Sequence, residues 1–509
     1  MAPHVTEEPS SQIPSLLSQL SLLHIPVEPT LDTVVRSTPI FTESVRAHDE
    51  DSYTQYGLLG GQVSKMNNTV LTSPLTPRQD PRVYFNVAAP SSVFICGSQG
   101  SGKSHTLSCL LENCLIASEA NVLPHPLTGL VLHYDTFVSD EGGYPCEAAC
   151  LSSSEEVSVR VLCPPTNLAN LKRLYARHPR VTVEALQIDE KHLNTQRMLD
   201  LMAISSIQGS GMPLYLHVIT RILRQMRKKQ QYTEKSFNYA AFKAALSQED
   251  LTPGQWVPLQ QRMDTLESFM VETQTSTGRK TTTNSLNKGN SWAPQPGELT
   301  IVDLSCPCVT PDAACALFNI CVSLFIEQDP TIGRVIALDE AHKYMTHSED
   351  GASSTLTETL LSIIRLQRHV ATRVIVSTQE PTVSPKLLDL SSVTIVHRFT
   401  SPAWLRSLKQ HLATDGASDG ADDSTPDDSS SAASLVDVRQ SDFESKLLGK
   451  ILALGQGEAF LFSPSSIIDV SEDAAHGNDV RPIKLGSGAI KIHIRKRVTE
   501  DGGRTIMAE

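Results

Sequence analysis

Long hydrophobic runs are missing from this 509-residue chain. No stretch approaches the roughly 20 consecutive apolar residues of a membrane-spanning helix, so no membrane span is expected. The opening segment, MAPHVTEEPSSQ, lacks a basic patch followed by an apolar core, which predicts an intracellular protein, cytoplasmic or nuclear, rather than a secreted one. The ten cysteines lack paired CxxC spacing. The close pairs, Cys146 with Cys150 and Cys306 with Cys308, do not make a two-knuckle zinc pattern, and the thiols are read as reduced structural residues. An internal repeat is also missing, which excludes a repeat array.

What is present is the composition of a globular protein, with 40% hydrophobic and 19% charged residues. The length allows two to four domains, or one large domain with insertions. The net charge of −13 is unevenly spread: residues 1–56 carry net −6, residues 411–443 carry net −7, and the remainder is neutral. A neutral body can still bear a basic groove, so the total charge neither supports nor excludes nucleic acid.

Residues 1–85 are rich in Pro, Ser and Thr and are read as mostly disordered, with one apolar run at 16–25 as a candidate docking helix. From residue 93 the texture changes to apolar runs bounded by glycine. Residues 93–96, 130–134 and 157–162 read as strands, and residues 86–166 as the first part of an α/β core. Residues 167–296 read as a helical insertion and linker, with an apolar stripe on 214–226 beside Arg221, Arg224, Arg227, Lys228 and Lys229. The core resumes over 297–410 with strands at 299–304, 335–338, 374–377 and 393–396. The Asp/Ser-rich stretch 411–443 reads as an acidic disordered insert that offers a surface to protein partners. Residues 444–509 supply closing strands at 459–462, 467–470 and 490–494. Strands alternating with helices predict a mainly parallel sheet covered on both faces.

Residues 97–104, GSQGSGKS, fit G-x-x-x-x-G-K-[ST] after a buried strand and before a helix. Gly97, Gly100 and Gly102 let the backbone curl so that N–H groups face phosphates, and the segment Gly97, Ser98, Gln99, Gly100, Ser101, Gly102, Lys103, Ser104 and His105 is the expected ATP cradle. Lys103 would reach the β- and γ-phosphates, and Ser104 would ligate Mg²⁺. Four apolar residues after Arg334 end in Asp339-Glu340, expected at the carboxyl edge of the sheet. Asp339 is the metal carboxylate, and Glu340 the base that polarises water. Gln379, at the end of the next strand, is placed to hold that water or sense the γ-phosphate. A competing pair, Asp189-Glu190, reads as the first turn of a helix.

The run DEAH at 339–342 resembles DEAH-box helicases, but no QxxGRxGR motif follows Gln379, and 236 residues separate Lys103 from Asp339. A better match is the HerA/FtsK superfamily of P-loop ATPases, HerA-like branch, which the chain resembles through five segments: GSQGSGKS (97–104), GELTIVDLS (297–305), RVIALDEAHKYM (334–345), IIRLQRHVATRVIVSTQEP (363–381) with VTIVHRFTSP (393–402), and GQGEAFLF (455–462). The resemblance spans roughly 93–465, with gaps. It implies a RecA/ASCE-like P-loop NTPase fold, related to AAA+ ATPases, with ATP and Mg²⁺ as ligands. It also implies a hexameric homo-oligomer acting as a motor on duplex DNA, with an arginine given in trans to the neighbouring site; the matching positions are Arg365, Arg368 and Arg398. The acidic and Pro/Ser-rich segments suggest a eukaryotic, fungal-type member. The competing reading is a nucleotide-switched scaffold that recruits proteins without acting on DNA.

Overall fold

The computed structural model describes residues 35–49, 52–66, 75–139, 141–202, 214–233, 236–275, 288–329, 331–345, 352–411, 446–472 and 480–502. The acidic insert beyond His411 and the 16–25 run lie outside these residues. Among the described residues sixteen strands join in one sheet: β1 (Ile40–Thr42), β2 (Tyr56–Gln62), β3 (Arg82–Asn86), β4 (Ser92–Cys96), β5 (Asn121–Val122), β6 (Thr128–His133), β7 (Ser158–Cys163), β8 (Val181–Ala185), β9 (Glu298–Asp303), β10 (Arg334–Leu338), β11 (Thr372–Thr378), β12 (Val393–Val396), β13 (Glu458–Phe462), β14 (Ile467–Glu472), β15 (Val480–Lys484) and β16 (Ile490–Ile494).

Eight of these form a parallel block in the order β12-β4-β11-β10-β6-β9-β7-β8. The central members read as continuous apolar runs, and every residue of β4, β6, β10, β11 and β12 is buried, as a sheet covered on both faces requires. One face packs the helix α1 (Lys103–Leu115), and the other packs α2 (Pro311–Ile326) and α3 (Ala352–Leu366). The insertion contributes further helices at Thr195–Met202, Leu214–Thr233, Tyr239–Leu246 and Pro253–Ser268, whose apolar sides join the α2 face. Asp189 caps the short helix Glu190–His192 by accepting from the Lys191 amide, as expected for a structural pair. Among the described residues no helix is long and apolar enough to cross a membrane.

The expectation for residues 1–85 is corrected where they are described. β1, β2 and β3 fold into the sheet, and Phe41 stacks on Tyr53 and Tyr84 while Tyr56 meets Phe41 and Tyr84 edge-on, beside Ile467 and Val470. The physical reason is tertiary: β1 has three residues and pairs with β14 more than 400 positions away, through Phe41 opposite Ile467. The region read as helical insertion also holds the strand β8, parallel to β7.

The C-terminal segment locks α1 in place. Glu112, with no exposed surface, accepts from Arg495 Nη1 at 2.7 Å, from the Val498 and Thr499 amides at 3.2 and 3.1 Å, and from the Thr499 hydroxyl at 2.5 Å. Arg495 also donates to the carbonyls of Leu58 and Cys109. Replacing Glu112 with alanine would leave a buried guanidinium without its carboxylate, and a loss of about 3–5 kcal/mol is expected in chemical denaturation. A loss below about 1 kcal/mol would show that the clamp contributes little.

Candidate functional site

In-phase register gives the site its shape. Val374–Thr378 pair with Ser92–Cys96, and Arg334–Leu338 pair with both Thr128–Leu132 and Thr372–Val376, so the carboxyl ends of four neighbouring strands gather along one edge, stepped by two residues between β10 and β11. Gly97, Gln379 and His397 follow the aligned residues Cys96, Thr378 and Val396, while Asp339 and His133 follow Leu338 and Leu132, level with Ser377 and two residues short of Gln379.

The loop between β4 and α1 curls where glycine permits it. Gly100 and Gly102 sit at φ +73° and +109°. A Cβ on Gly97 would lie 2.7 Å from both His397 Cβ and Ser101 Oγ. The Ser98 amide and hydroxyl donate to the Arg398 carbonyl, each at 2.9 Å, and Ser101 Oγ donates to the Ser98 carbonyl at 2.7 Å. Gln99 and Gly100 lie at the exposed crest. The helix begins at Lys103, so the first-turn amides of Lys103, Ser104 and His105 face the loop without partners inside the helix. His105 Nε2 meets the Arg495 carbonyl at 2.8 Å, and Arg497 donates to the Ser104 carbonyl at 3.2 Å.

His397 pins this loop from below. Burial pushes its imidazole down to about 4. The neutral ring donates from Nδ1 to the Glu458 carbonyl at 3.1 Å, which leaves Nε2 to accept from the Thr106 hydroxyl at 2.9 Å. Lys103 is 4% exposed, and its ammonium donates to the Ser98 carbonyl at 3.1 Å. Burial lowers its pKa, opposed by Glu340 and Asp339.

Asp339 follows β10 directly and is 4% exposed. Its amide donates to the Leu132 carbonyl, and its Oδ2 accepts from His133 Nδ1 at 3.1 Å. Burial alone would raise its pKa, but His133, Lys343 and Lys103 hold the carboxyl below its ordinary value. Burial likewise pulls His133 down, and Cys146 and Asp339 outweigh it to leave the imidazole well above its ordinary value. Asp339 Oδ1 is buried and has no hydrogen-bond partner among the described residues.

Glu340 adopts φ 49°, ψ 44°, a left-handed backbone uncommon for a residue with a side chain. The turn separates the two acids, since Asp339 enters the buried row while Glu340 faces Gln379. Gln379 Nε2 donates to Glu340 Oε2 at 3.1 Å, and the Gln379 amide reaches His342 Nδ1 at 3.4 Å. Burial lowers the pKa of His342. Its neutral ring therefore accepts from Gln379 rather than pairing ionically with Glu340, 3.4 Å away.

The structure thus brings together Gly97 to His105, Asp339, Glu340 and Gln379. Arg398 is exposed at the rim of the loop, with its own carbonyl tied to Ser98. Arg365, in the last turn of α3, and Arg368, in the turn between α3 and β11, are exposed near the start of β11, at the opposite edge of the sheet from the loop. Sequence reasoning missed His133, Cys146, His342, His397, Arg495 and Arg497. No spacing signal marks His133, Cys146, His397, Arg495 or Arg497, because each joins the site through a contact distant in sequence, whereas His342 stands two positions after Glu340 in the DEAH run.

The phosphate loop, the acid pair and the strand order define an α/β P-loop NTPase fold of the RecA/ASCE type. Among solved structures, the chain is similar to VirB4 of Thermoanaerobacter pseudethanolicus, with 10% identity, TM-score 0.42, and coverage of 87% of this chain and 96% of that one. It is also similar to the bacterial conjugative coupling protein TrwBΔN70, with 11% identity, TM-score 0.44, and coverage of 88% and 94%. A smaller likeness is to the genome packaging NTPase B204 from Sulfolobus turreted icosahedral virus 2, with 12% identity, TM-score 0.22, and coverage of 37% and 67%. The resemblance to the HerA/FtsK superfamily rests on the five sequence segments. The fungal-type origin finds no support in these neighbours. No family model and no curated protein matches the chain.

Proposed function

We propose that this chain is a Mg²⁺-dependent ATPase, a HerA-like ring motor working on a polyanionic polymer, with duplex DNA the substrate that the resemblance implies. The observation that carries the hydrolysis reading is the Glu340–Gln379 hydrogen bond at the strand ends beside Lys103. A protein that only bound nucleotide would need the loop and the lysine, but not a carboxylate held towards a water-positioning amide.

In this reading the first-turn amides of α1 and Lys103 hold the triphosphate, and Glu340 takes a proton from the attacking water while Gln379 orients it. Ser104 and Asp339 would hold Mg²⁺, a role that the buried and unpartnered Oδ1 of Asp339 fits. Bound there, the ion supplies positive charge against the phosphate oxygens. The helix Leu214–Thr233 carries five cations and no acid, and Arg224, Arg227 and Lys228 line a groove together with Thr195 and Thr220, a surface suited to phosphates.

Replacing Lys103 with alanine is expected to weaken ATP binding by about 10²-fold or more, because the buried triphosphate would lose its cation. Titration with a fluorescent ATP analogue checks this. Unchanged affinity would overturn the phosphate site. ATPase rates with and without duplex DNA, together with sizing with and without a non-hydrolysable analogue, separate the motor from a nucleotide-switched scaffold.

A further inference from the structure

We infer that His133, Cys146 and Asp339 form a binding site for a soft divalent cation, zinc by ligand chemistry, beside the phosphate loop. The inference does not depend on ATP being the substrate. Three elements deliver the ligands: His133 ends β6, Asp339 follows β10, and Cys146 precedes the short helix Glu147–Ser153. One ligand atom from each lies within 4.8 Å of the others, and all three residues are buried.

The separations favour an ion over hydrogen bonds alone. Cys146 Sγ is 3.8 Å from Asp339 Oδ2, which is long for a thiol donating to a carboxylate. His133 Nδ1 is 3.1 Å from the same oxygen. Around a tetrahedral zinc with ordinary bond lengths, sulfur and oxygen ligands stand about 3.5 Å apart, and nitrogen and oxygen about 3.3 Å. The observed pair departs from those values by only a few tenths of an ångström, in opposite directions. A small inward movement of the thiol would bring the sulfur–oxygen separation to the tetrahedral value.

The surrounding contacts hold the ligands where an ion would need them. The Cys146 amide donates to Tyr175 Oη at 2.9 Å, and that hydroxyl donates to Asp303 Oδ2 at 2.6 Å. The His133 carbonyl accepts from the Leu304 amide at 3.0 Å, and the Asp339 amide donates to the Leu132 carbonyl at 3.0 Å. Partners of this kind orient ligands before a metal arrives. Asp339 Oδ1 is buried without a hydrogen-bond partner among the described residues, so Oδ2 can serve this ion while Oδ1 stays uncommitted. The site would share its carboxylate with the Mg²⁺ position: Oδ2 faces His133 and Cys146, and Oδ1 remains for the nucleotide's metal.

Cobalt is the probe, added to the full-length chain without nucleotide. Binding is expected at one Co²⁺ per chain, with a thiolate-to-cobalt charge-transfer band that Zn²⁺ abolishes by displacement. Cys146→Ser should remove the band, and His133→Ala should weaken Co²⁺ binding by about 10-fold or more. Cys150→Ser, a neighbouring thiol 4.0 Å from His178, should leave the band intact. Thermal unfolding of each variant verifies that it folds. A parental chain without the band, or a band that survives Cys146→Ser, would overturn the site. Should Cys146→Ser not fold, His133→Ala decides: cobalt affinity equal to the parental value would overturn the site. Nucleotide affinity, measured separately, tests the ATPase reading, so the two can fail independently.

Discussion

Replacing Glu340 with glutamine is expected to leave ATP binding near the parental value and to lower the hydrolysis rate by about 10²–10⁴-fold, the usual contribution of a positioned general base. The geometry explains why binding should survive. Glutamine keeps the length of the side chain, and its amide oxygen can still accept from Gln379 Nε2, as Glu340 Oε2 does at 3.1 Å. The left-handed turn at residue 340 carries over, because its cost is a backbone cost that both residues bear. What is lost is the capacity to take a proton from water. Single-turnover hydrolysis alongside nucleotide titration separates the two effects. Parental hydrolysis in the Glu340→Gln protein would mean that the base lies elsewhere, and the assignment would fall.

The parts of this site legible in the sequence are those whose chemistry is local. A phosphate cradle needs glycines and a lysine within eight consecutive positions, and a buried strand feeding a helix leaves its pattern on both sides. The strand before Asp339 is equally visible, since four buried apolar residues followed by two acids can hardly be a surface loop. The site's support is another matter. Cys146 stands 193 positions from Asp339, and His397 stands 291 from Thr106, so nothing in either neighbourhood announces the contact. The order β12-β4-β11-β10-β6 likewise depends on pairings that the chain order conceals.

The N-terminal strands failed to show for a related reason. β2 reads YGLLGGQ, with three glycines, and β1 is three residues long. Neither alternates strongly enough to be read alone. Both are stabilised by partners from the other end of the chain, β2 by β16 and β1 by β14. Composition had suggested disorder because Pro, Ser and Thr dominate the flanks, whereas the aromatic cluster that holds this part together is spread over four separate positions.

The largest effect expected of the ring reading falls on the arginines. In a single subunit, Arg365 and Arg368 lie at the edge of the sheet opposite the phosphate loop, so either can reach a γ-phosphate only on another copy. Arg398 lies at its own loop, joined through its carbonyl to Ser98. The same positions predict different behaviour in mixtures. Alanine at a trans arginine should lower hydrolysis by about 10³-fold or more, as removal of an arginine finger does in other phosphoryl-transfer proteins. Mixed with Glu340→Gln subunits, which are inactive but keep every arginine, that variant should recover activity, because some interfaces then join an intact Glu340 to a neighbour's intact guanidinium. Recovery is expected for Arg365→Ala or Arg368→Ala. It is not expected for Arg398→Ala, where the subunit that keeps Glu340 lacks its own rim arginine. Each variant is first verified to bind ATP and to assemble. No recovery in any mixture, together with a specific activity independent of protein concentration, would remove the ring and leave a nucleotide switch that acts as a single chain.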